Sequence, residues 1–383
     1  MKHVDEFRDK ALAQGLYARI AQRVPEAQRA LGRDRTDAPV KLMEVCGGHT
    51  HTIFRYGLLG ELPRALELVH GPGCPVCVLP IGRLDMAIHL ARQPGVMFCT
   101  FGDAMRVPGS EQSLLQAKAR GADVRTVYSP SDALGLARQN PTREVIFFGI
   151  GFETTAPSTA LVLREAKRAD VRNFSVFSNH ITIMPTLQAL LDAQDVQLDG
   201  FVAPGHVSMV IGAAPYQLIS EHYKKPLVIA GFEPLDVLQS VAMLLEQLIA
   251  GEARVENQYA RVVRAAGSAP AQAAMEEVFE ARPSFEWRGL GSIPHSGLQL
   301  REAYADFDAE RRWQLQYLSV PDPKACQCGD VLKGVLSPWD CKVFGTACTP
   351  ETPIGSCMVS SEGACAAYYN YGRLATLRRA RSS

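Results

Sequence analysis

A surplus of charge of either sign is the first thing this sequence lacks. Its 40 Lys and Arg residues are offset by 40 Asp and Glu, a formal net charge of +0 over 383 residues. No electrostatic field therefore exists to draw in nucleic acid or an acidic surface. Also missing is any run approaching the ~20 apolar residues that span a bilayer, so no membrane association is expected. The opening stretch, MKHVDEFRDKALAQGLYARIAQRV, carries charges throughout and lacks the apolar core and cleavage site of an export signal. A cytoplasmic protein is expected, in a compartment where thiols stay reduced and disulfides are rare. No GxxxxGK[ST] loop occurs, nor a GxGxxG between a strand and a helix, which leaves a nucleotide site without support. The radical-type Cys-x-x-x-Cys-x-x-Cys spacing is absent too.

What is present is a rhythm. From about residue 40 to 250, short β-branched runs alternate with amphipathic segments: VKLMEV (40–45), LELVH (66–70), GVMFCTF (95–101), VRTVY (124–128), EVIFFGI (144–150), FSVFS (174–178), DGFVA (199–203) and PLVIAGF (226–232). Such alternation predicts βαβ units with parallel sheets. The expected fold is α/β, with two similar small parallel-sheet domains over 38–140 and 141–236 and a largely helical or irregular C-terminal domain over 237–383. A single doubly wound sheet is the alternative. Residues 1–37, with Phe7, Leu12, Leu16, Ile20 and Val24 at helical spacing, predict an amphipathic helix docked on the body, against the C-terminal domain.

Nearly every predicted strand ends in a polar or glycine-rich motif, among them CGGHTH (46–51), GPGCPVC (71–77), GFETT (151–155) and PGHVS (204–208). Ligands of open α/β sheets bind beyond the carboxyl ends of the strands. Two such edges turned toward each other would form a cleft lined with Cys, His, Glu and Thr. Cys46, followed by two glycines, and His49 are a plausible pair of metal-site groups. Cys74 and Cys77 have the Cys-x-x-Cys spacing of a redox dithiol, which serves equally for metal binding. Glu153 stands beside a helix start, either capping it or moving protons in the cleft. His51 and His206 are open between structural and chemical roles. Cys99, inside VMFCTF, reads as core packing.

Six of the ten cysteines crowd the last sixty residues: Cys326, Cys328, Cys341, Cys348, Cys357 and Cys365. None of them shows the two-to-four-residue spacing of a structural zinc ribbon. Thiolates from scattered loops can hold a [4Fe–4S] cube, and Cys326, Cys341, Cys348 and Cys365 are the expected ligands by spacing. A zinc site or a metal-free disulfide knot are the other readings. Six exceeds four, so Cys328 and Cys357 remain as a candidate redox dithiol beside the cluster.

Taken together, CGGHTHTI (46–53), GPGCPVCVLP (71–80), GFETTAP (151–157), APGHVSMVIG (203–212), GFEPLD (231–236), RGLGSIPHSGL (288–298) and the tail from Cys326 through CMVSSEGACAAYYNY closely resemble the HypD family of [NiFe]-hydrogenase maturation factors. The resemblance covers nearly the whole chain. It implies a scaffold, rather than a conventional turnover enzyme, that assembles the Fe(CN)2CO unit with a small HypC-type chaperone. Iron would be held between the two proteins, cyanide would come from a HypE-type donor, and contact with the hydrogenase maturation complex would be transient. It further implies that Cys46 is the main iron ligand and that Cys74 and Cys77 are redox-active or accessory iron-site thiols. His49 would support them, and a [4Fe–4S] domain would relay electrons to the cleft. A [4Fe–4S]-dependent thiol–disulfide oxidoreductase, acting on protein disulfides, is the alternative expectation.

Overall fold

The computed structural model describes residues 5–33, 38–193 and 196–381; residues 1–4 and 34–37 of the expected N-terminal unit lie outside that set. Helix α1 (Lys10–Ala30) precedes β1 (Val40–Glu44), α2 (Gly47–Arg55), β2 (Leu66–His70) and α3 (Ile81–Ala91). Next come β3 (Val96–Thr100), α4 (Leu114–Ala119), β4 (Val124–Thr126), α5 (Pro130–Gln139), β5 (Glu144–Gly151), α6 (Ala156–Arg168), β6 (Phe174–His180) and α7 (Ile183–Asp192). The α/β part closes with β7 (Gly200–Pro204), α8 (Gly205–Ile211), α9 (Gln217–Glu221), β8 (Leu227–Ala230), α10 (Pro234–Ala250) and β9 (Val255–Asn257). Strands β1 to β8 are the eight runs read from the sequence.

The strands form two parallel sheets, ordered β2-β1-β7-β8-β9 and β4-β3-β5-β6. The chain begins the first sheet, leaves it to build all of the second, and returns. This corrects the expected cut after residue 140: β3 on one side of it pairs with β5 on the other, Val96 against Glu144. Asn140 merely caps α5, and the Asn173 side-chain amide donates to the carbonyls of Ala137, Asn140 and Arg143, pinning an ordinary loop. β1 and β7 pair in parallel, with Leu42 set against Gly200, so both edges of β1 are hydrogen-bonded while helices cover the faces of the sheet.

The N-terminal helix docks as a packed amphipathic helix: α1 lies on α10, which covers the first sheet and falls largely within the expected 237–383 region. Ile20, Val24 and Ala27 pack with Val237, Val241, Leu244, Leu245 and Leu248 in one cluster, and Ala367 and Tyr368 of the C-terminal segment share it. Each such fully buried aliphatic side chain contributes about 1.5–3 kcal/mol. Arg33 ties the end of the segment down, pairing with both oxygens of the buried Asp199 at 2.7 and 2.8 Å.

Residues past β9 do not begin one domain at 237. α11 (Ala269–Val278), the antiparallel pair β10 (Phe279–Ala281) and β13 (Leu298–Leu300), and the pair β11 (Ser284–Trp287) and β12 (Gly291–Pro294) follow, then α12 (Ala309–Arg312). Val278, Phe279, Leu298 and Leu300 join the core of the second sheet. Only the last segment, with α13 (Cys328–Leu332) and α14 (Ala364–Arg381), is the irregular, cysteine-rich part. Among the described residues no helix is long and apolar enough to cross a membrane.

Candidate functional site

The carboxyl ends of the two sheets face one cavity of about 360 Å3. Cys46 and Cys74 reach it from the first sheet, Asp103, Thr154 and Thr155 from the second, and His206 from the end of β7. Ser360 and Glu362 close it from the cysteine-rich segment.

Cys46 sits at the turn from β1 into α2, as the residue capping that helix. Its N–H donates to Glu44 Oε2 at 3.0 Å. Glu44 is itself buried and is held by His70 Nδ1, 2.6 Å from Oε1, and by the Thr50 hydroxyl. This knot of three side chains on β1, α2 and β2 fixes the cysteine's backbone. Two effects compete at the sulfur. Burial pushes the thiol well up and the nearby carboxylates of Glu362 and Glu44 add to that, while the N–H groups of Gly48 and His49 favour the thiolate. Burial wins, so the residue is a neutral thiol.

The neighbouring loop is stitched to this one. Gly71 N–H donates to Glu44 O at 2.8 Å and Gly47 N–H to Gly73 O at 3.3 Å. A Cβ at Gly73 would run into the backbone of Val45 and Cys46. Gly73→Ala is therefore expected to cost several kcal/mol and drive the two cysteine loops apart. Thermal unfolding checks this, and an unchanged midpoint would contradict it. Cys74 and Cys77 are joined as a disulfide, with Cα atoms 5.2 Å apart. Cys74 faces the cavity, and Cys77, fully buried, stands behind it.

His49 does not line the cavity. Its Nε2 lies 3.2 and 3.0 Å from the carbonyls of Ala230 and Gly231, which makes that nitrogen the donor. Nδ1 is then an acceptor, buried and without a partner. The ring stacks on Phe232 at 4.7 Å, and His206 stacks on the same phenyl at 3.8 Å. Burial lowers both imidazoles, so both are neutral.

Glu153 is also outside the cavity wall. Its Oε1 accepts the Ile183 N–H at 3.0 Å, capping α7 rather than the helix that follows it in sequence, and Oε2 has no partner. Burial pushes this carboxyl up from 4.5 to about 7. The folded protein thus holds the proton more tightly than the unfolded chain. Glu153 is most favourable below pH 4.5, and stability falls by roughly 3 kcal/mol as pH rises through 7. Glu153→Gln should flatten this part of the profile. Urea midpoints between pH 5 and 8 measure it; an unchanged slope in the variant would count against Glu153 as the source.

In the C-terminal segment, Cys326, Cys328, Cys341, Cys348 and Cys365 surround one small space of about 10 Å3. Cys357 lies near enough to Cys328, Cys365 and Cys326 to interact with them electrostatically. Mutual interaction favours the thiolate at Cys328 and the neutral thiol at Cys326, Cys357 and Cys365. Five of the six thus line one space, with Cys357 beside them. Among the described residues no three Cys, His, Asp or Glu side chains stand as ready-made ligands of a single metal ion. Five soft donors around one space, with a sixth close by, nevertheless fit a polynuclear iron–sulfur group in their chemistry. Cys99 is a buried strand residue whose thiol burial pushes up to about 12, in keeping with packing.

The segments that carry the two cysteine groups are in contact. Ser356, next to Cys357, donates its hydroxyl to the Cys77 carbonyl at 2.5 Å. Arg288 donates its N–H to Val78 O at 2.7 Å. The sequence reading missed Glu44, His70, Asp103 and Glu362. Glu362 lies in SSEGAC, noticed only for its cysteine, and nothing local announces that it reaches Cys46.

Fold and site together define a thiol-centred α/β protein, in which a buried cleft cysteine and a Cys-x-x-Cys loop are backed by a second cysteine centre. Comparison with known proteins gives this class its family. Residues 18–372 match the HypD family model, described as "Hydrogenase formation hypA family". The chain is 57% identical to the hydrogenase maturation factor HypD of Rhodobacter capsulatus over 376 residues, covering 97% of this chain and 98% of that one. It is 53% identical to HypD of Escherichia coli K12 over 371 residues, again 97% and 98%. With the hydrogenase expression/formation protein HupD of Azotobacter chroococcum it shares 56% over 379 residues, 97% of each. The chain belongs to the HypD family of hydrogenase maturation factors.

Proposed function

We propose that this protein is the scaffold and redox component on which the Fe(CN)2CO unit of a [NiFe]-hydrogenase is assembled in the cytoplasm. Iron is the cargo, held by Cys46 jointly with a small HypC-type chaperone, and cyanide is accepted from a HypE-type donor. Cys74 and Cys77 act as redox or accessory iron-site thiols. The observation that carries this reading is the convergence of Cys46 and Cys74 on one cavity, with Cys77 joined to Cys74 behind it. Low-spin iron with cyanide and CO suits soft sulfur ligands. A site split between two proteins releases its cargo by dissociation. Cyanide leaving a thiocyanate-type sulfur needs two electrons, which two thiols closing to a disulfide provide.

A [4Fe–4S] cluster held by Cys326, Cys341, Cys348 and Cys365 would supply single electrons, with Cys328 and Cys357 as the dithiol between it and Cys77. The Ser356–Cys77 hydrogen bond supports that order. The test is infrared spectroscopy of the protein purified with its small partner. Cyanide and CO bands are expected from the complex, and a complex free of both bands and of iron would overturn the scaffold. The joined Cys74–Cys77 pair also favours a second reading, a cluster-dependent disulfide reductase. That reading requires reduction of a generic protein disulfide at useful rates with Cys46 dispensable.

A further inference from the structure

A buried cation, paired with one carboxylate but with donors left over, stands beside the cysteine centre. Arg288 is 2% exposed, one of the largest fully buried side chains in the protein. Its Nε lies 2.7 Å from Asp322 Oδ1, yet the two make no aligned hydrogen bond, and Nη1 has no partner either. Nη2 donates only a long bond, 3.4 Å, to Ile354 O. A buried guanidinium with idle donors is costly unless negative charge faces it. Apart from Asp322, what faces it from the cysteine segment is sulfur-bearing: Nη2 reaches Ile354 O, and the next residue, Gly355, lies directly against the sulfurs of Cys326 and Cys328. At that position the cation favours the thiolates of both. The position is built in. Gly289 has φ +73 and no room for a Cβ, because Gly329, the residue after Cys328, packs against it. The backbone of Arg288 meanwhile holds Val78, one residue beyond Cys77.

We propose that Arg288 is the resident countercharge of the cysteine centre, setting the reduction potential of the iron–sulfur group bound there. The proposal rests on the cluster reading given above. A [4Fe–4S] group with four thiolates is anionic, and gains one more negative charge on reduction. A fixed cation nearby stabilises the reduced form more than the oxidised form and so raises the potential. Asp322, pairing with Arg288 from the partly exposed side, offsets some of that effect. The two residues therefore act with opposite sign, which a merely structural role for the pair does not require.

The experiment is a redox titration of the cluster in the purified full-length protein, followed by absorbance and electron paramagnetic resonance, with iron and sulfide content measured in each sample. Arg288→Met should lower the midpoint potential, Arg288→Lys should restore much of it, and Asp322→Asn should raise it. Potentials that ignore both residues, or that move the same way for Arg288→Met and Asp322→Asn, would overturn the countercharge. Should Arg288→Met fail to fold or to hold a cluster, Asp322→Asn and Arg288→Lys carry the test alone. In that case a potential unmoved or lowered by Asp322→Asn overturns the proposal. Wild-type protein lacking iron and sulfide would instead overturn the cluster reading itself, and the proposal with it.

Discussion

Cys46→Ala should abolish hydrogenase maturation and erase the cyanide and CO infrared bands from the complex with the small partner. The expected loss is complete because of where the sulfur sits. Cys46 is the cleft cysteine not engaged in a disulfide, and its backbone is locked by Glu44, itself held by His70 and Thr50. Neighbouring groups in the cavity wall, Asp103 and Glu362, offer oxygen, a poor substitute for thiolate on low-spin iron. Cys46→Ser separates ligation from folding. Serine keeps the helix-capping position and the shape, so unfolding should shift by less than about 1 kcal/mol while maturation is still lost. Bands that persist in either variant would remove Cys46 from the iron site. Loss of maturation with cyanide and CO bands intact would assign it to a later step.

The largest stability effect is expected at Arg83. Its guanidinium, 3% exposed, donates from Nε to Asn179 Oδ1 at 2.6 Å and from Nη2 to Ser178 O at 2.8 Å. It grips both oxygens of Glu310 at 2.9 and 2.7 Å and lies 4.5 Å over the Phe177 ring. Burial alone would raise Glu310, but Arg83 and then Arg282 overcome it and hold the carboxyl at about 2. The pair's contribution is therefore present above pH 4.5 and disappears as pH falls through 2. Removing one member of a buried pair leaves the other uncompensated, at a cost of about 3–5 kcal/mol. Arg83→Met should lower Tm by roughly 5–10 °C at neutral pH. Arg83→Met with Glu310→Met should lose less than the sum of the two single losses. A single variant that melts like wild type would mean the pair is not desolvated in solution. Since α3 follows the Cys-x-x-Cys loop directly, this clamp also anchors the dithiol to the second sheet.

Much of this was legible before any coordinates. β1 to β8 announce themselves because parallel strands buried on both faces need continuous β-branched and aromatic runs, such as EVIFFGI. The chemistry at their ends was legible for the same reason: polar and glycine-rich motifs cannot fill a core. The order of strands within the sheets was not legible. A βαβ unit looks the same whether its next strand joins the same sheet or another, so the insertion of β3 to β6 between β2 and β7 left no local mark. Glu153 shows the limit at a single residue. Its sequence neighbour is the start of α6, but the chain folds so that its carboxylate caps α7 instead.

By itself, then, the sequence determined the inventory: parallel α/β units, a Cys-x-x-Cys loop, a glycine-flanked cysteine, and six thiols too close together for packing. These depend on residue type and short-range periodicity, which the chain carries locally. Tertiary structure alone decided which of these meet. It set Glu362 against the Cys46 loop, joined Ser356 to Cys77, tied Arg83 to Glu310 and buried Arg288 beside Cys326 and Cys328. Each of these contacts links distant segments, and its energy comes from burial and charge compensation that exist only once the sheets have closed on each other.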